Sequence, residues 1–144
     1  MYILTLVSTE LGTGGKASVT MALPNSGNLL AHAAIDVKFY QQLGVPAEET
    51  DIKARATNKQ SLEIQGVSKG IYIRFPNVRK TFFVKPLIVK NLSCKLNLGA
   101  QFNHQTGFIP QKVQVDGNGK KTNYSELDGI RIHLHFQDVT NRTL

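Results

Sequence analysis

The chain has 144 residues, 41% of them hydrophobic, with 17 Lys plus Arg against 10 Asp plus Glu and a formal charge of +7. That size and apolar content suit one domain, residues 1–144, with a real core, and exclude intrinsic disorder as the main state. No apolar run approaches the roughly 18 residues of a membrane span, and a lone cysteine, Cys94, excludes an internal disulfide and a thiolate-rich zinc site.

From the amino end, residues 2–7 and 17–23 alternate apolar and polar side chains and predict two strands. Met1 to Val7 lacks the basic start and the cleavage site of a signal peptide, so the expectation is a soluble, intracellular chain. Gly12-Thr13-Gly14-Gly15 and Pro24-Asn25-Ser26-Gly27 are turn signals. Ile35, Phe39, Tyr40 and Leu43 then recur at helical spacing, with Asp36 in the first turn and Gly44 where a left-handed cap would sit, and predict one short helix. Strands are expected at 70–75, 80–89 and 130–136, separated by turns at Pro76-Asn77 and Asp116-Gly117-Asn118-Gly119, and a further helical turn or two follows Gly99 at 100–103. The expected class is mainly all-β, with many short strands and one or two short helices.

The charge is uneven. Residues 53–95 carry ten basic side chains against the single acid Glu63, a local balance of +9, whereas 36–52 is acidic at −3. Such a patch suits phosphates or an acidic partner. Its plainer reading is Lys and Arg alternating with apolar residues on the wet face of a sheet.

Several motifs fail on spacing. Gly12-Thr13-Gly14-Gly15-Lys16 would need glycine at Glu10 and a hydroxyl at Ala17 to be a phosphate loop. His133 and His135 share a strand face, but two histidines without a grouped carboxylate or thiolate are too few for a metal site. Neither metal nor cofactor is expected. The glycosylation-type triplets at Asn91, Asn123 and Asn141 are read as coincidence.

One ordered set is informative. An apolar strand, residues 18–23, runs into Pro24-Asn25-Ser26-Gly27-Asn28-Leu29-Leu30; then come the helix ending at Leu43-Gly44, a basic hairpin-like stretch, Phe82-Phe83-Val84-Lys85-Pro86-Leu87-Ile88-Val89, and Leu96-Asn97-Leu98-Gly99. Over residues 17–103 this resembles the retropepsins, the aspartic proteases of retroviruses and long-terminal-repeat retrotransposons, and most resembles the retrotransposon branch. The resemblance implies a closed acid-protease barrel carrying half a site per subunit, a homodimer, and an extended polypeptide substrate cut from a retroelement polyprotein, in the cytoplasm or within a virus-like particle. It implies no membrane partner. Nucleic acid, bound by a small basic β-barrel through residues 53–95, is the less favoured alternative.

In that family two aspartates, one from each subunit, lie about 3 Å apart and share a proton. The ionised member takes a proton from the attacking water while the protonated one donates to the scissile carbonyl. Here the position that should be aspartate is Asn25. An amide offers neither protonation state, although its shape preserves the turn. The implied protein is a catalytically dead form of a protease, engineered or natural, with Ser26 bracing the two loops and Gly27, Asn28 and Leu29 lining the substrate cleft. Residues 51–66 would form the flap, its tip at Thr57, Asn58, Lys59 and Gln60, without the glycines of the retroviral form. Leu29, Leu30, Leu87 and Ile88 would contribute to apolar pockets. Leu29 and Ala100 stand where retroviral members carry an acid–arginine pair. Residues 2–7 and 130–136 are candidates to pair across the two-fold axis, and residues 104–144 would include an added hairpin.

Overall fold

The computed structural model describes residues 2–8, 18–24, 33–44, 47–48, 63–92 and 94–135. Twelve strands and two helices are described. A curled nine-stranded sheet has the order β4-β5-β8-β3-β9-β2-β1-β6-β7, and a second sheet has the order β10-β11-β12.

The alternating sequence at the amino end forms β1 (Ile3–Ser8), with Ile3, Thr5 and Val7 fully buried and the residues between them half-exposed. It pairs antiparallel with β2 (Ser18–Pro24), from Ile3 opposite Ala22 to Val7 opposite Ser18. On its other side Leu6, Val7 and Ser8 pair with β6 (Ile71–Arg74). Tyr2 exchanges both backbone hydrogen bonds with His135, at 2.7 and 2.8 Å. The two segments considered for pairing across a dimer axis therefore pair with each other inside one chain at this point.

Strand β3 (Ala33–Asp36) lies between β8 (Leu87–Val89) and β9 (Leu96–Leu98) and has three buried residues in a row, Ala33 and Ile35 in the main core and Ala34 in a second cluster with Leu87 and Val89 on the other face. A strand covered on both faces loses its alternation. Ile35 accordingly belongs to β3, and the helix that follows is shorter than expected: α1 (Val37–Gln42). Asp36 is its cap, with Oδ2 accepting from the Lys38 N–H at 3.1 Å. Oδ1 of the same carboxylate accepts from the Leu92 N–H at 3.1 Å, which ties the start of α1 to the chain after β8. Gly44, at φ +76, ends the helix as its position predicted.

The stretch 80–89 is two strands. Lys85-Pro86 divides it, since proline has no N–H to continue a ladder. β7 (Phe82–Val84) pairs with β6, while β8 pairs with β3 and with β5 (Ile64–Ser68). β4 (Ala47–Glu48) adds at the edge beside β5. The second helix, α2 (Ala100–Thr106), runs further than expected, so residues 104–106 are helical and lie ahead of the added hairpin. Gly107 at φ +75 closes it, helped by Thr106, whose hydroxyl donates to the Phe102 carbonyl at 2.7 Å and accepts from the Phe108 N–H at 3.3 Å.

β10 (Ile109–Val115) and β11 (Lys121–Leu127) form a hairpin whose turn is organised by Asp116. Its Oδ1 accepts from the N–H groups of Asn118 and Lys120 at 2.9 and 2.8 Å. β12 (Ile130–His133) completes the sheet. One face of it supplies Leu127, Ile132 and Leu134 to the same core that holds Ile3, Ile35, Ile71, Phe75, Leu96 and Phe102. Among the described residues, no helix is long and apolar enough to cross a membrane.

Candidate functional site

The geometry that positions the expected catalytic segment is a crossed arrangement of three strands. β2 and β3 flank residues 25–32 in the chain but are not neighbours in the sheet, because β9 lies between them, parallel to β2 and antiparallel to β3. Leu98 has Pro24 on one side and Ala33 on the other, and Asn97 has Leu23 and Ala34. The two ends of the segment thus leave the sheet on either side of one residue. Directly after Leu98, Gly99 begins α2 with an extended backbone, and its carbonyl accepts from the Asn103 N–H at 3.1 Å.

Asn25, Ser26, Gly27, Asn28 and Leu29 lie outside the described residues, as do Leu30 and the expected flap tip at Thr57, Asn58, Lys59 and Gln60. Of the expected flap, residues 51–66, the described part is 63–66, and Ile64, Gln65 and Gly66 lie in β5. Ala47 pairs with Ser68 and Glu48 with Val67, and the Glu63 carbonyl accepts from the Lys90 N–H at 2.9 Å. Of the pocket candidates, Ile88 packs in the main core, and Leu87 joins a smaller cluster with Ala34 and Val89 on the opposite side of the sheet.

Asn97, the middle residue of Leu96-Asn97-Leu98, is buried between two leucines that face the core. Its Oδ1 has no hydrogen-bond partner among the described residues, and both amide atoms of Asn103 share that state. Each such atom costs about 1–3 kcal/mol of desolvation. Sequence reasoning had no signal for Asn103.

The described part of the basic stretch, residues 63–92 and 94–95, takes the wet-face arrangement. Arg74, Arg79, Lys80, Lys85 and Lys90 are exposed, whereas Ile71, Ile73, Phe75, Val78, Phe82 and Val84 between them are buried. Lys80 lies 5.6 Å from the centre of the Phe82 ring, and Lys95 lies 5.7 Å from that of Phe39. Phe82 and Phe75 therefore serve the core and present no stacking surface for bases. His133 and His135 do share a face, with ring centres 4.5 Å apart and edge to face. No group of three or more potential ligands capable of holding a metal ion occurs among the described residues.

No family model matches the sequence, and no curated protein matches it. Among solved structures the fold is similar to the crystal structure of the retroviral protease-like domain of Ddi1 from Leishmania major. The two share a TM-score of 0.57 and 11% identity over 92% of this chain and 91% of that one. The chain therefore has the retropepsin-like fold, mostly β with two helices and a curled half-barrel sheet.

Proposed function

We propose that this chain is an aspartic endopeptidase by lineage, of the kind that processes a retroelement polyprotein as a homodimer, and that Asn25 makes the present form inactive. The observation that supports the reading is the crossed frame. The segment beginning Asn25-Ser26-Gly27 starts immediately after β2 and ends immediately before β3, with β9 and its Leu98-Gly99 between them. In a retropepsin-like scaffold that is where each subunit offers one carboxyl group. Two amides facing each other across the axis can neither share a proton nor activate water. They also remove the like-charge repulsion of a dyad, which favours dimerisation.

The test is Asn25→Asp in the full chain, assayed on an extended peptide spanning a polyprotein junction. The unaltered chain is expected to show no turnover, and the variant to gain pepstatin-sensitive cleavage with an acidic optimum, from the same dimeric species. A dimer of the Asp variant that hydrolyses nothing would remove the lineage reading.

Asn25 itself favours a second reading, an inactive scaffold retained to bind peptide. Extended peptide bound equally by the unaltered chain and the variant, without cleavage by either, would support that one.

A further inference from the structure

A groove of about 430 Å3 opens where the small sheet meets the large one. One wall is the outer face of β11 and β12, and the other is Leu4 of β1 with the Pro76-Asn77 turn, in which Asn77 takes φ +65. Period two places Arg131, His133 and His135 on a single face, and the ladder sets Tyr124 opposite His133. The Arg131 guanidinium lies 4.1 Å from the centre of the Tyr124 ring.

No acidic residue lines this groove. The register partner of Arg131 is Glu126, but the Glu126 carboxylate is engaged by Lys112 at 3.1 Å. One guanidinium and two imidazoles therefore line the same space without a carboxylate partner among the described residues. Leu4 and Pro76 give it an apolar side.

We propose that this groove binds a phosphate-bearing ligand of mononucleotide size, its phosphate held by Arg131 with His133 and His135 and its flat, less polar part lying along Tyr124, Leu4 and Pro76. The volume lies within the range of small-ligand sites, about 300–1,000 Å3. The planar fork of arginine matches a phosphate through paired hydrogen bonds, and its stacking on Tyr124 orients it beforehand. The solvated lysines and arginines of residues 69–90 lack this combination of concavity, apolar floor and a guanidinium converging with two imidazoles. The site uses no residue of 25–32, so it stands apart from the protease reading.

Burial, and then the neighbouring His133, hold the His135 pKa below its ordinary value and disfavour its charged form. Among the described residues, the titratable and charged groups on this groove are His133, Arg131 and Tyr124, with Tyr2 paired to His135 through its backbone. None is an acid. A bound anion favours the charged form of His135, so an anion of constant charge binds more tightly as the pH falls.

The test is NMR titration of the imidazoles in the full chain with a nucleoside monophosphate, the matching neutral nucleoside, sulfate, and a short single-stranded oligonucleotide. The monophosphate is expected to shift both His133 and His135 and to bind at least about tenfold more tightly than the nucleoside. Arg131→Ala, with an unchanged circular dichroism spectrum, is expected to weaken it at least about tenfold. Sulfate affinity is expected to rise between about pH 8 and about pH 5.5. Equal affinity for nucleoside and monophosphate would overturn the proposal, as would imidazoles unmoved by any of these probes. So would oligonucleotide binding that survives Arg131→Ala and disappears on neutralising Arg79 and Lys80.

Discussion

Gly70, at φ +127, occupies a backbone region that side chains rarely enter, and a Cβ built there would overlap the ring of Phe83. The ring reaches it from β7 while also packing on Tyr72, with centres 5.0 Å apart. The Ser68 hydroxyl accepts from the Gly70 N–H at 2.9 Å and fixes the turn between β5 and β6. Gly70→Ala is therefore expected to destabilise the fold by about 2–3 kcal/mol, through backbone strain and displacement of the ring. A lowered urea midpoint at unchanged slope would show it. In the sequence, Gly70 was only the residue ahead of an alternating run. The aromatic covering it comes from the next strand, which residue spacing does not reveal. Asn25 was singled out by the resemblance of a short motif alone, and it lies outside the described residues. The groove around Arg131 lay between these cases. Period two put His133 and His135 on one face, but Leu4 and Pro76 arrive from distant parts of the chain.

At the scale of elements, a single carboxylate connects two of them. Asp36 caps α1 through one oxygen and holds the Leu92 N–H through the other. Asp36→Ala loses both bonds and is expected to cost about 2–3 kcal/mol. Asp36→Asn keeps one amide oxygen as acceptor and is expected to lose about half as much, so the order of thermal midpoints across the three proteins checks the double role. The sequence placed this aspartate at the start of the helix and Gly44 at its end because caps are local chemistry. It assigned Ile35 to the helix because a strand buried on both faces carries no alternation to set against helical spacing. Residues 80–89 looked like one strand because apolar content survives the break at Lys85-Pro86. The break becomes evident only when β7 and β8 are seen to choose different partners. The turn at Asp116 was readable, since its hydrogen bonds run from one side chain to the next few amides.

Across the whole molecule, four phenylalanines join parts that the two-sheet description separates. Phe75 follows β6, Phe82 lies in β7, Phe102 in α2, and Phe108 leads into β10; their ring centres are 5.4 to 6.4 Å apart. Leu127, Ile132 and Leu134 extend this core into the small sheet. Phe102→Ala is expected to destabilise by about 3–5 kcal/mol. Because the core is shared, aromatic and backbone circular dichroism are expected to fall together on heating, at one lowered midpoint. Composition and alternation made a mostly-β chain evident, but the sheet order could not be read from them, since it depends on contacts between residues far apart in sequence.

The crossing of β9 between β2 and β3 also governs when this architecture can be completed. Ala22 meets Leu96 at a sequence separation of 74, whereas the β10–β11 hairpin closes within a few residues. Closing so large a loop costs chain entropy before any pairing rewards it, so contacts of this separation form slowly. During synthesis the β1–β2 hairpin can assemble as soon as it clears the ribosome, yet the strand that joins β2 to β3 is absent until translation has passed Leu98. A nascent or truncated chain ending short of that point holds both strands without the clasp between them.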